Sequence, residues 1–128
     1  MKWLFFSLFA LALSGNVYSV DRCVDGASCS VTIIHLISDP GLYDKKEVIV
    51  RGYFVYAEKQ SYLYLDSEKA THGLSEYSIN LKLSKIEQDI ISERTGGYIL
   101  IHGVFNQNDR GIGVPTAGSV LVNSLSVP

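Results

Sequence analysis

Methionine and tryptophan occur once each, and cysteine only twice, in a chain of 128 residues. Cys23 and Cys29 are not spaced as C-x-x-C, so nothing supports dithiol redox chemistry. Their spacing fits no usual zinc pattern, and no second Cys/His pair follows. Histidine is equally sparse: three residues, with no signature around any of them. Serines are common, but none sits in a nucleophile elbow, and no nucleophile, base and orienting group are placed together. Neither sign of charge dominates. Eleven basic residues face 13 acidic ones, a net charge of −2. Non-specific nucleic-acid affinity comes mostly from Lys and Arg neutralising phosphates, so this balance argues against a polyphosphate partner. No internal repeat or low-complexity segment is present.

Long apolar runs are absent except at the start. Met1-Lys2 is followed by an apolar stretch over residues 3–13 and by small and polar residues 14–19. That is the pattern of a secretory signal peptide, and the apolar stretch is too short to span a membrane. Val17 and Ser19 place cleavage after Ser19. Cys23 follows Val20-Asp21-Arg22, which is not the small-residue box of a lipoprotein. The expected location is therefore periplasmic or secreted. In an oxidising compartment Cys23 and Cys29 most simply pair. The closed loop of about seven residues contributes roughly 2–2.5 kcal/mol on a chain-entropy model. The expected organisation is a signal peptide at 1–19, a disulfide-bearing segment at 20–30, and one folded domain at 31–128.

Residues 47–58 (EVIVRGYFVYAE) are the strongest strand signal, with Gly52 near the middle as a bend or bulge. Before them, the apolar density of residues 30–37 would suit a strand, but Ile33, Leu36 and Ile37 fall at helical spacing, which favours a short helix. Ser38-Asp39-Pro40 stops that short helix, and Leu42 and Tyr43 continue its apolar face. Residues 59–61 turn the chain back. Residues 62–66 (YLYLD) alternate, with Leu63 and Leu65 on one face and Tyr62 and Tyr64 on the other. A polar loop covers 67–76. Residues 77–83 alternate again: Tyr77, Ile79, Leu81 and Leu83 face in, and Ser78, Asn80 and Lys82 face out. Ser84 and Glu87 then form a capping box. Ile86, Ile90 and Ile91 give that helix an apolar stripe, and Gly96-Gly97 ends it. A strand over 98–105 is interrupted at Gly103. A Gly-rich loop fills 106–118, and a last strand occupies 119–127, with Val120 and Val122 opposite Leu121.

Three meander strands, a helix and two strands make a mainly β chain (α+β by count). This is the order of a five-stranded OB-like Greek-key barrel, with a helix between strands three and four and a short N-terminal helix. The alternative is an SH3-like barrel or another small α+β sheet.

Across residues 31–127 the chain resembles a group of small exported bacterial proteins. The shared pattern reads here as Pro40, Tyr43, Lys46, Val48, Val50 and Gly52-Tyr53; then Leu63-Tyr64-Leu65; then His72-Gly73-Leu74; then Tyr98, Gly103, Phe105 and the glycines from Gly111 to Gly118. The resemblance implies an OB-like barrel and export, with no activity attached. Members often carry Gly-His in the late loop, where this chain has Gly111-Ile112.

Candidate functional residues follow from this layout. Tyr53, Tyr56, Tyr62 and Tyr64 lie on the first two barrel strands, near where OB-folds bind ligands, and aromatics there stack on bases or sugars. Arg51, Lys82 and Arg110 add charge. The opposing reading makes these tyrosines ordinary strand residues. His35 and His102 read as structural. His72, near Glu68 and Glu76, is the weak metal candidate, and no metal or other cofactor is expected. The function expected is non-catalytic binding of a protein or an oligosaccharide. A small metal-dependent or hydrolytic enzyme and single-stranded nucleic-acid binding are the alternatives.

Overall fold

The computed structural model describes residues 28–112 and 115–127. The expected signal peptide and Cys23 lie outside them. Cys29 is buried, and no described cysteine is a free thiol.

Six strands form one sheet: β1 (Cys29–Val31), β2 (Glu47–Ala57), β3 (Gln60–Tyr64), β4 (Ser78–Lys82), β5 (Gly97–Asn106) and β6 (Ser119–Ser126). Their order is β1-β2-β3-β4-β6-β5, and β5 pairs back onto β2. Five strands therefore close a ring, with β1 outside it as an added edge. Every ring pairing is antiparallel except β4 with β6, which is parallel from Asn80↔Ser119 to Lys82↔Leu121. The alternating residues meet inside: Val48, Val50, Phe54, Leu63, Ile79, Leu81, Ile99, Ile101, Phe105 and Val120 are all at most 5% exposed. This one-sided burial is what a period-2 apolar pattern requires.

β1 was not expected. Three residues carry too little alternation to register, yet they pair parallel to Val48–Val50. Thr32 then caps α1 (Ile33–Ser38). The Thr32 hydroxyl accepts from the His35 N–H, and His35 Nδ1 accepts from the Thr32 N–H at 3.2 Å. Ile33 and Leu36 are buried, as the helical spacing predicts. α2 (Pro40–Tyr43) buries Tyr43 and leaves Leu42 exposed, so only one of the two residues extends the apolar face.

Gly52 sits where the partner on one side of β2 changes from β1 to β3. A Cβ there would lie 2.6 Å from Leu63 Cγ and 2.8 Å from both Ile33 Cδ1 and the Tyr64 carbonyl oxygen. Close approach, rather than an unusual φ, is what demands glycine. The next turn is Glu58-Lys59, with φ of 52° and 66°, closed by Ala57↔Gln60. Two positive φ values in a two-residue hairpin suit the twist of the flanking strands. This places β3 two residues earlier than the alternation of YLYLD implied.

Two connections differ from expectation. The stretch read as a polar loop contains α3 (Ser67–Thr71), capped by the Asp66 carboxylate accepting from the Lys69 N–H at 2.8 Å, and a 3-10 turn at Ser75–Tyr77. Tyr77 therefore precedes β4 instead of opening it. α4 (Lys85–Ile91) has the expected capping box but not the expected stripe. Ile91 is buried, while Ile86 and Ile90 are 73% and 68% exposed. Gln88 sets the orientation by donating to Tyr56 Oη and to the Lys59 carbonyl, both at 3.1 Å. Gln88 and Ile91, spaced i and i+3, face the ring. Ile86 and Ile90, spaced i and i+4, lie on the other side. The chain leaves α4 through a second 3-10 turn, Ser92–Arg94.

β5 carries a register shift at His102/Gly103, and a Cβ on Gly103 would overlap the Leu121 carbonyl oxygen. No helix among the described residues is long and apolar enough to cross a membrane.

Candidate functional site

Directly opposed strand residues share a face, so register places the tyrosines. Tyr98↔Tyr53↔Tyr64 runs as a row across β5, β2 and β3. Tyr62, opposite Val55, shares that outer face. Tyr53 and Tyr98 meet edge to face at 5.3 Å, and the Arg51 guanidinium lies 5.0 Å from the centre of the Tyr98 ring. Tyr56 is not with them. It opposes Ser61 on the inner side, packs against the core and accepts from Gln88. Tyr64 is 9% exposed. Burial first, then neighbouring Tyr62, pushes its phenol above the ordinary 10.0. The four tyrosines expected as one ligand surface are thus divided: Tyr56 belongs to the core, Tyr64 is buried, and Tyr53 and Tyr62 remain partly exposed.

Ser78 and Asn80 were expected to face solvent and are buried. The segment entering β6 covers them: the Ala117 N–H donates to the Ser78 carbonyl, and the Asn80 N–H donates to that of Gly118, both at 2.9 Å. Gly111 lies against the Asn80 side chain with φ +87°, and a Cβ there would overlap Asn80 Oδ1. The late loop is internally knitted. Arg110 Nε donates to the Thr116 carbonyl at 2.6 Å, and the buried Thr116 hydroxyl donates to the carbonyls of Arg110 and Gly118. Arg110, expected to meet a ligand, therefore braces its own loop through Nε.

Lys82 pairs with Asp109 at 3.4 Å, joining β4 to this loop. Burial alone would raise the Asp109 carboxyl. Hydrogen bonds from the Gly111 N–H and the Ser119 hydroxyl, with the Lys82 ammonium, outweigh it and hold the group below its ordinary 3.8.

These elements surround a cleft of about 350 Å³ at one end of the ring. The Glu58-Lys59-Gln60 turn, Ser61, Asn80, Lys82, Leu83, Gln88 and the loop residue Ile112 line it. The lining is rich in groups that both donate and accept. Ser61 is 4% exposed, and its Oγ finds no hydrogen-bond partner among the described residues. A buried orphan hydroxyl in a native fold calls for an explanation, and this one lies shielded behind the cleft's polar lining. Of the residues nominated from sequence, only Lys82 lines this cleft. Tyr56 stands behind it through Gln88. The remaining lining was missed, because neither a hairpin turn nor the inward side of a capped helix carries a composition signal. The capping box did locate α4, and with it Gln88.

A second cluster invites a catalytic reading. Ser28 Oγ lies 2.9 Å from His102 Nε2, Glu47 Oε1 lies 3.4 Å from the same nitrogen, and Ser28 Oγ donates to Glu47 at 3.2 Å. A serine relay needs the serine and the acid on opposite ring nitrogens. Here both use Nε2, so the cluster ties the residue before β1 to β2 and β5. His72 terminates α3, where its backbone N–H donates to the Glu68 carbonyl. Among the described residues no group of three or more His, Cys, Asp or Glu is placed to hold a metal ion.

No family model matches the chain, and no curated protein matches it. Among solved structures, the chain is similar to a putative aspartyl-tRNA synthetase from Leishmania major Friedlin, at 10% identity and a TM-score of 0.46. The match covers 86% of this chain and 22% of that one.

Proposed function

We propose that this chain is an exported, non-catalytic binding module and that a hydroxyl-rich oligosaccharide occupies the cleft at the end of the ring. The observation that carries the reading is the polar lining of the cleft, made by Gln60, Asn80, Gln88 and Lys82. Sugars present donors and acceptors around a ring, and amides and hydroxyls answer both. An OB-like Greek-key barrel is the fold that goes with this reading. Its support is the strand order, the parallel β4–β6 pairing and a helix between the third and fourth ring strands. Export rests on the residue pattern at 1–19, and membership of the small exported group rests on the motif residues quoted above. A Cys23–Cys29 bridge belongs to the same reading. The secreted protein, denatured without reductant, should then offer no thiol to iodoacetamide.

Thermal melting with neutral oligosaccharides, single-stranded DNA and zinc in separate arms tests the proposal. A saturable rise in Tm is expected with an oligosaccharide only. Gln60→Ala and Lys82→Ala should each weaken binding about two- to tenfold, as a lost hydrogen bond does. A salt-sensitive rise with DNA, or a zinc-dependent rise abolished by His72→Ala, would overturn it. So would the absence of a shift in every arm, which directs attention to a protein partner.

A further inference from the structure

A second cleft lies on the outer wall, and it shares no lining residue with the first. It encloses about 430 Å³ between Arg51 of β2, Arg94 of the second 3-10 turn, Gly97, Tyr98 and Ile99 of β5, and Val127. Two arginines from different elements line one concavity in a chain whose net charge is −2. Arg51 makes a cation–π contact with Tyr98, which engages the guanidinium by its charge and leaves its N–H donors uncommitted. Among the described residues neither arginine donates a hydrogen bond or pairs with an acid. Lys82 pairs with Asp109, and His102 with Glu47, both away from this cleft. Beneath Arg51, Tyr98 stands edge-on to Tyr53. Tyr98 and Val127 add apolar surface beside the two charges.

We propose that this cleft binds a carboxylate carried on a sugar ring, that is, a uronic-acid residue of an acidic glycan. The two arginines supply forked donors that match a carboxylate, and the apolar surface meets the face of the ring. Two cations suit a ligand with one charge per ring. They do not suit a polyphosphate, which draws its affinity from many neutralised phosphates. The inference does not rest on the proposal for the end cleft: either site can bind while the other fails.

The test is titration of the ¹⁵N-labelled protein, carrying no C-terminal tag because Val127 lines the cleft. Glucuronate, glucose, inorganic phosphate and acetate are the probes. Glucuronate should produce saturable shifts at Arg51, Arg94, Gly97 and Tyr98. Glucose, phosphate and acetate should bind there at least about tenfold more weakly, since each lacks either the ring or the planar carboxylate. Arg51→Gln and Arg94→Gln should each weaken glucuronate binding about tenfold, and Arg51→Lys should restore only part of it, because an ammonium lacks the fork. Both arginines are exposed, so the variants should keep the parent Tm, which is checked in parallel. Phosphate binding as tightly as glucuronate, shifts confined to Ser61, Lys82 and Gln88, or binding unchanged in both glutamine variants would each overturn the proposal.

Discussion

Gly52 and Gly111 are both irreplaceable, for different reasons. At Gly52 the backbone is ordinary and the space is missing, since a methyl group would press on Leu63, Ile33 and the Tyr64 carbonyl. Overpacking of that kind costs about 1–3 kcal/mol, and Gly52→Ala should lose that much in urea unfolding. Gly41→Ala is the control. Its new Cβ meets nothing closer than 4.0 Å, and it lies in α2, where alanine is the better helix former. At Gly111 a positive φ and the Asn80 side chain act together, so Gly111→Ala should displace the loop that walls the end cleft. Asp109, two residues earlier, ties the same loop to Lys82. Its carboxyl is held below 3.8 in the fold, so the fold favours the ionised form. The stabilisation is therefore complete above that ordinary value and is lost as pH falls through the lowered one. Asp109 and Lys82 are both more than a third exposed, so the effect stays under about 1 kcal/mol. Asp109→Asn should lower Tm slightly at neutral pH. The gap to the parent should close on acidification below the ordinary carboxylate range, and a gap that widened there would refute the assignment.

Among the elements, α4 shows how a short helix can mislead. Its three isoleucines read as a single stripe, but seven residues are less than two turns, and Gln88 fixes which side faces in. Replacing Ile86 and Ile90 together with lysine should change stability by less than about 0.5 kcal/mol each, as surface changes do. Ile91→Ala should cost about 2–5 kcal/mol. Equal losses in chemical denaturation would mean that the stripe, not Gln88, orients the helix. The same contrast explains what the residue pattern revealed. Val48 and Val50, Ile79 and Leu81, and Val120 and Val122 alternate cleanly, so each strand and its buried face were legible. β1 is three residues long and α3 five, with only Asp66 as a signal, so both were invisible. The end cleft was hidden more deeply. Its lining comes from a turn, a strand end, a helix side and a loop that are distant in sequence. Ser78 and Asn80 became interior only because that loop folds over them.

For the molecule as a whole, ring closure distributes stability unevenly. β2 is the longest strand and ties three others together: β5 runs along residues 47–54, with β1 at 48–50 and β3 at 53–57 on the other side. Opening it means breaking two ladders and exposing Val48, Val50 and Phe54 at once. β6 is different. Residues 119–121 pair with both β4 and β5, but 124–126 pair with β5 alone. Leu125 is only partly buried there, and the ladder beyond the His102/Gly103 irregularity has no second neighbour to hold it. Local opening draws on regions with few buried contacts, whereas doubly paired strands exchange only through global unfolding. Native-state hydrogen exchange should therefore find the hydrogen-bonded amides of Val48–Phe54 exchanging with the free energy of global unfolding. Protection should fall along β6 from Val120 toward Leu125. β1 is an outer edge with three paired residues, and with the proposed Cys23–Cys29 bridge opened by reductant its protection should fall into the same weak class while that of β2 stays unchanged. Uniform protection along β6 would show that the ring closes on its last strand as firmly as on its first.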